Sequence, residues 1–168
     1  IMKNWRIVPA IPGDALKLSH LMDRLGSEND FMMYEAQEIP TEDLLRHRLE
    51  VSVKNKKEIF LLTVAKDDFY GYALVFRGNL ARNRSVGTLV LGVTETTQGC
   101  GVGSALVAEV IAWAKLYELY RLQLQVQTNN AKALRLYQRL SFKDEGILHR
   151  CALVNGEHVD KYQMALLL

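Results

Sequence analysis

Three glycines, Gly99, Gly101 and Gly103, separate an apolar β-type run from an amphipathic helix pattern. The run covers residues 86–93, and the helix pattern continues from Gly103 to about residue 117. Residues 121–127 then alternate apolar and polar side chains, which predicts a half-buried strand. A strand, a crossover helix and a second strand in this order predict a βαβ unit with parallel strands. The β-rich runs before it make the predicted sheet a mixed one.

Hydrophobic periodicity predicts further elements on both sides of this unit. Alternation at the start predicts a strand, and helical spacing follows over residues 14–25 and from residue 41 to about 54. Residues 28–40 have no sustained period and are predicted to form a loop. The other predicted elements are strands at 59–65 and 70–76, a helix at 130–140 and two final strands separated by a turn at Asn155-Gly156. Strands 59–65, 70–76 and 86–93 are predicted to form an antiparallel meander. The predicted fold class is α/β, of the α+β type, in a single domain over residues 1–168.

Composition and charge exclude several classes of protein. The 168 residues include 21 Lys and Arg and 19 Asp and Glu. The resulting net charge of +2 is too small for a protein that binds by neutralising many phosphates along a nucleic-acid duplex. No apolar stretch reaches the roughly 18 to 20 residues of a bilayer span, and no signal-peptide pattern begins the chain. Cys100 and Cys151 lie far apart without a C-x-x-C or Cys/His cluster, so neither a disulfide framework nor a metal site is predicted. We expect a cytoplasmic protein without nucleic-acid or membrane partners.

The glycine cluster at the helix start is suited to bind an anion. The first N–H groups of a helix have no intrahelical acceptor and carry partial positive charge, which attracts phosphate. Glycines let a ligand approach the backbone and adopt positive φ. A P-loop needs a Lys after its last glycine, and a dinucleotide fingerprint needs G-x-G-x-x-G; residues 98–104 satisfy neither pattern. From the residues alone, a phosphate site and a simple turn both stay open.

Two longer motifs favour the phosphate site. Gln98, Gly101 and Gly103 match the pattern Q/R-x-x-G-x-G/A, and residues 130–142 match N-x-x-A-x-x-L-Y-x-x-x-G-F with Ser141 where glycine is usual. With these motifs the chain resembles the GCN5-related N-acetyltransferase (GNAT) superfamily, most closely over residues 86–168. The resemblance implies the acyl-CoA N-acyltransferase fold, in which about four helices flank a mixed central sheet of six to seven strands.

The resemblance also implies acetyl-coenzyme A as the co-substrate and no metal. In this family the pyrophosphate lies on the glycine turn, and the pantetheine arm pairs with the fourth strand as an added strand does. The residues implied to contact the coenzyme are Leu91, Val93, Gln98, Gly99, Cys100, Gly101, Val102, Gly103, Ser104, Asn130 and Tyr137. Although a helix start would lower the thiol pKa of Cys100, the family transfers the acetyl group directly, so we expect no covalent role for it.

Tyr137 is the residue that the resemblance implies as the catalytic acid. A phenol with an ordinary pKa of about 10 is protonated at neutral pH and can donate a proton as coenzyme A leaves. Tyr137 also lies on the apolar stripe of its helix, so a core role for its ring stays open.

The general base is where the sequence departs from the best-known family pattern. Several members carry a Glu in the fourth strand, and the matching position here is Gly87. Glu35, in the loop after the first helix, is the first candidate for this role. Tyr34, Glu35 and Asp160 are predicted to contact the acceptor, and Asp160 and His149 are the further candidates for the base.

The implied activity is direct transfer of acetyl from acetyl-coenzyme A to a primary amine of a small molecule, such as an amino acid or a polyamine. A protein N-terminus or lysine is the alternative acceptor, and a non-catalytic acetyl-coenzyme A sensor is the alternative of another class. Acceptor specificity is expected in residues 26–41 and in the turn near Asn155. The end of the chain, residues 164–168, is expected to form an exposed edge that could pair two copies in a homodimer.

Overall fold

The computed structural model describes residues 4–32, 34 and 38–168. These residues form seven strands and four α-helices. In chain order, the elements are β1 (Arg6–Pro9), α1 (Ala15–Glu28), α2 (Glu42–Asn55), β2 (Glu58–Ala65), β3 (Asp68–Arg77), β4 (Val86–Val93), α3 (Val102–Leu116), β5 (Arg121–Gln127), α4 (Ala131–Arg139), β6 (Lys143–Val154) and β7 (Glu157–Leu167).

The strands hydrogen-bond in the order β1-β2-β3-β4-β5-β7-β6. The pairs β1–β2, β2–β3, β5–β7 and β6–β7 are antiparallel, whereas β4 and β5 are parallel and are joined through α3. The predicted βαβ unit and the predicted mixed sheet of six to seven strands with four helices are therefore confirmed. The single domain over residues 1–168 stays a prediction.

The described part of the backbone forms two compact units. The first comprises the described residues up to 76 together with 90–110, and the second comprises residues 77–89 and 111–168. In the first unit, α1 buries the stripe that its periodicity predicted, including Leu18 and Leu25. Thr41 caps α2 by accepting the N–H of Leu44, which satisfies one of the free donors at the helix start. The core of this unit consists of buried side chains from α1, α2, β2 and β3.

Gly92 in β4 lies at a closely packed point of the first unit. A Cβ at this position would come within 2.7 Å of the Leu25 side chain, 2.9 Å of Met32 and 3.0 Å of the Tyr72 ring. Leu25 and Tyr72 are themselves almost completely buried, so neither can easily move aside. The absence of a side chain at Gly92 lets α1 and β3 pack closely against β4.

In the second unit, β5 alternates as predicted, with Leu122, Leu124 and Val126 buried. The turn between β6 and β7 lies at Asn155-Gly156, where both residues have positive φ as a two-residue hairpin turn requires. The expectation that residues 164–168 form an exposed edge is wrong for residues 164 and 165, which pair with both β5 and β6, whereas residues 166 and 167 pair with β5 alone. β7 pairs with β5 on one side and β6 on the other, because the hairpin folds β6 outward to become the edge of the sheet. The homodimer stays a prediction.

The helices in the described part of the chain are too short or too polar to cross a membrane.

We expect Gly92→Ala to destabilise the fold by about 1 to 3 kcal/mol, the usual cost of adding a methyl group to a filled core. Gly13→Ala is the matched control, because a Cβ there meets nothing within 4 Å. Chemical denaturation of both variants measures the difference. An unchanged midpoint for Gly92→Ala would show that the surrounding side chains adjust freely.

Candidate active site

The predicted anion site is an exposed turn between β4 and α3. Gly99 and Gly101 have φ of +78° and +81°, the left-handed region that a residue with a side chain adopts only with strain. The Cys100 N–H is already donated to the Thr97 carbonyl at 3.2 Å. The Ala105 N–H donates to the Gly101 carbonyl, so the N–H groups of residues 102–104 have no acceptor within the helix. These groups can therefore bind an anion that reaches the turn.

A short 3₁₀ turn, Glu95–Thr97, precedes the glycines and holds them in place. Thr94 and Thr97 are buried, and their hydroxyl oxygens lie 3.1 Å apart. The Thr97 hydroxyl also donates to the Tyr70 carbonyl at 3.4 Å. Buried hydroxyls with several partners keep a turn in one conformation. The turn that carries the glycines is thus fixed to β3 on its N-terminal side.

Two charged residues at the end of α1 hold the same 3₁₀ turn. Glu28 accepts the Glu95 N–H at 2.8 Å, and Arg24 donates to Glu28 at 2.9 Å and to the Thr96 hydroxyl at 3.3 Å. The Arg24 guanidinium also lies 5.7 Å from the centre of the Tyr70 ring. We name Arg24 and Glu28 the α1 latch. Sequence analysis missed the latch, because an acid and a base four residues apart are typical of an ordinary exposed helix face.

Leu91 and Val93 lie in the last part of β4, in the same unit as the glycine turn, and both are half-buried. The parallel ladder of β4 with β5 covers Val86–Thr88. Leu91 and Val93 are thus beyond that ladder. Gly87 is buried in the ladder, at the position where several family members carry a Glu.

A cavity of about 220 Å³ lies in the first unit beside β4. Tyr34, a predicted acceptor residue, lines it together with Val90, which directly precedes Leu91. Tyr72 and Arg48 also line the cavity, and sequence analysis missed both because contacts between α2 and β3 leave no local signal. Glu35, the first candidate for the base, lies outside the described residues.

In the second unit, Asn130 directly precedes α4, and Tyr137 lies near the end of this helix. The Asn130 side chain accepts the Ala133 N–H at 3.1 Å, so Asn130 caps this helix. The Tyr137 ring is 6% exposed and packs against Phe142 with the ring centres 5.6 Å apart. Its hydroxyl has no hydrogen-bond partner among the described residues. Burial raises the pKa of Tyr137 above its ordinary value, so the phenol is protonated at neutral pH.

The other two candidate bases, Asp160 and His149, lie together in the second unit. The Asp160 carboxylate accepts the Arg150 N–H at 2.7 Å and contacts His149 Nδ1 at 2.9 Å. These hydrogen bonds lower the pKa of Asp160, and the one from the Arg150 N–H has the largest effect. They stabilise an irregular stretch of β6 in which Arg150 has φ of +51°. No cluster of His, Cys, Asp and Glu suited to a metal ion occurs in residues 4–32, 34 and 38–168.

Comparison with known proteins identifies the family. A model of the acetyltransferase (GNAT) family matches residues 22–142. The chain belongs to this family. L-amino acid N-acetyltransferase AaaT of Escherichia coli (strain K12) is 31% identical over 106 residues, which are 62% of this chain and 65% of that relative. The chain thus spans somewhat less than two thirds of that relative's length.

Solved structures of GNAT proteins have the same fold. An acetyltransferase of the GNAT family from Streptococcus pneumoniae is 31% identical, with a TM-score of 0.94 over 98% of this chain and 100% of that one. The putative acetyltransferase yncA from Salmonella typhimurium, solved with acetyl-CoA, is 18% identical with a TM-score of 0.88 over 99% and 95% of the two chains. The predicted resemblance to the family is confirmed.

We expect Gly101→Ala to weaken acetyl-CoA binding about tenfold, because the strained backbone would move out of the left-handed region and displace the N–H groups. Gly156→Ala is a matched control, since Gly156 also has φ of +81° and open space around it. Both variants should lose similar stability. Titration calorimetry with acetyl-CoA should separate them, and equal affinities would argue against the turn as the anion site.

We expect Glu28→Ala to raise the KM for acetyl-CoA several-fold with a smaller change in kcat. The variant leaves the Glu95 N–H without its charged acceptor, a loss of about 1.5 kcal/mol that loosens the turn. Glu28→Gln, which keeps an acceptor oxygen, should restore part of the effect. Glu42→Ala breaks the exposed pair with Arg46 in α2 and serves as the control. A Glu28→Ala enzyme with the KM of the control would exclude the latch from cofactor binding.

Proposed function

We propose that this protein is an N-acetyltransferase that transfers acetyl from acetyl-CoA directly to a primary amine of a small molecule. The observation that carries the proposal is the glycine turn at the start of α3, with its two left-handed glycines and its unbonded N–H groups. Membership in the GNAT family and the similarity to an amino acid N-acetyltransferase support it. The small cavity beside β4 is a reason to prefer a small acceptor.

The residues proposed to hold acetyl-CoA follow from the turn and the strand before it. The N–H groups of residues 102–104 would bind the pyrophosphate, and Gly99 and Gly101 would let it approach. The backbone of Leu91 and Val93 would pair with the pantetheine amides, as an added strand pairs with an edge. A donor from β4 would also stabilise the charge that develops on the thioester oxygen.

Tyr137 is proposed as the acid. As the amine nitrogen bonds to the acetyl carbon, the carbon–sulfur bond breaks and the sulfur takes the electron pair. The protonated phenol of Tyr137 donates to this sulfur. The extra proton on the new amide nitrogen leaves to a base. Glu35 is the proposed base, Asp160 and His149 are the next candidates, and Gly87 leaves β4 without a carboxylate at the family position.

The absence of a carboxylate at Gly87 also motivates a second candidate function, a module that binds acetyl-CoA without catalysis. An assay of free thiol release from acetyl-CoA across a panel of amines distinguishes the two functions. Amine-dependent release supports the enzyme, whereas tight acetyl-CoA binding without release by any amine supports the sensor. Release of thiol only with peptides would indicate that the acceptor is an amine of a protein.

We expect Tyr137→Phe to bind acetyl-CoA about as well as the parent protein and to lower kcat at least about tenfold, or about 1.4 kcal/mol. The ring that packs on Phe142 is retained, so stability should change little. Tyr117→Phe, in the ring pair with Trp113 in α3, is the matched control. A Tyr137→Phe enzyme with unchanged kcat would remove the hydroxyl from the mechanism.

A further inference from the structure

The lining of the cavity in the first unit is mostly apolar. Its apolar residues come from α1, the segment just before α2, α2 itself, β3 and β4, and they are Met22, Pro40, Leu45, Leu74, Phe76 and Val90. The polar lining consists of Tyr34, Arg48 and Tyr72. A volume of about 220 Å³ is below the range of roughly 300 to 1,000 Å³ that is usual for drug-sized ligands. The cavity therefore suits a small molecule with an apolar group.

Arg48 is held in a fixed orientation behind this cavity. Its Nε lies 3.2 Å from Glu58 Oε2, and its Nη2 donates to the same oxygen at 2.9 Å. The guanidinium also lies over the Phe60 ring, 5.1 Å from the ring centre. Nη1 has no hydrogen-bond partner among the described residues. A carboxylate that binds one edge of a guanidinium in this way directs its remaining donors elsewhere.

All three polar side chains in the cavity can donate hydrogen bonds. Burial raises the pKa of Tyr72, and the nearby Tyr34 raises it further by a smaller amount. The Tyr72 phenol is therefore protonated and can donate a hydrogen bond. Arg48 has only donors, and Glu58 does not line the cavity. The described lining residues include no carboxylate. A lining of this kind attracts an acceptor-only group such as a carboxylate.

We propose that this cavity binds the acceptor, and that the acceptor carries a carboxylate, which Arg48 binds, and an apolar side chain, which the apolar walls enclose. The chemistry is that of an apolar amino acid. The cavity adjoins β4 at Val90, directly before the residues assigned to the pantetheine arm. The inference rests on the proposed function, and it excludes polyamines and other amines without a carboxylate as preferred acceptors.

The test compares leucine, methionine and phenylalanine with their amides and with spermidine, using the wild-type protein. The amide lacks the negative charge and also lowers the pKa of its amine, so rates are expressed per unprotonated amine. We expect kcat/KM to be at least tenfold higher for the best acid than for its amide, mainly through KM. Equal values for acid and amide, or a preference for spermidine, would overturn the proposal.

Arg48→Gln should remove most of this preference, and Arg48→Lys should keep part of it, because lysine retains the charge without the planar fork. Arg46→Gln, in the same helix and paired with Glu42, does not line the cavity and should keep the wild-type ratio. Thermal denaturation checks that each variant is folded. An Arg48→Gln protein with the wild-type ratio would contradict the role of Arg48, and the wild-type panel decides the acceptor class even where that variant fails to fold.

Calorimetry with acetyl-CoA distinguishes a failure of the proposed function from a failure of the inference about the acceptor. Absence of acetyl-CoA binding by the wild-type protein would contradict the proposed function itself. Binding and amine acetylation without an acid-to-amide preference would contradict only the inference about the acceptor.

Discussion

The packing of α1 against β4 is the constraint on which the first unit depends. At Gly92 the two elements are so close that no side chain fits, and Leu25 of α1 occupies the space. This contact brings the last turn of α1 to the residues that follow β4, where Glu28 accepts the Glu95 N–H. The position of the glycine turn therefore derives from core packing, and the α1 latch adds a polar connection to it.

The two sites proposed to bind anions in this unit are made of hydrogen-bond donors, and neither needs excess positive charge. The glycine turn offers backbone N–H groups, and the cavity offers two phenols and a guanidinium whose charge Glu58 balances. This explains how a chain with a net charge of only +2 can be suited to bind a polyanionic coenzyme. Neutral donors fixed by the fold also lose less affinity to salt than exposed charges do.

The sequence predicts local features well and long-range contacts poorly. The alternating residues 121–127 have the same bounds as β5, and burial alternates along them up to Val126. Asn130 caps α4 where the motif begins. Arg48 of α2 and Tyr72 of β3 line the same cavity, and no spacing along the chain encodes that proximity. The expected edge at residues 164–168 failed at residues 164 and 165 for the same reason, since β6 pairs with them through a hairpin whose outer strand is decided by the whole sheet.

The burial of Tyr137 bears on how a phenol can serve as the acid. Burial raises its pKa, which by itself makes donation to a thiolate of ordinary pKa near 8.5 unfavourable. In the proposed mechanism the thiolate forms in the same low-dielectric surroundings, which raise its pKa too, so the difference between the pKa values of the two groups narrows. The proposed donation then takes place as the carbon–sulfur bond breaks, when the charge on sulfur is greatest. If Tyr137 were exposed to solvent, its phenol would keep its ordinary pKa. Water would then compete with the phenol as the proton donor to the thiolate.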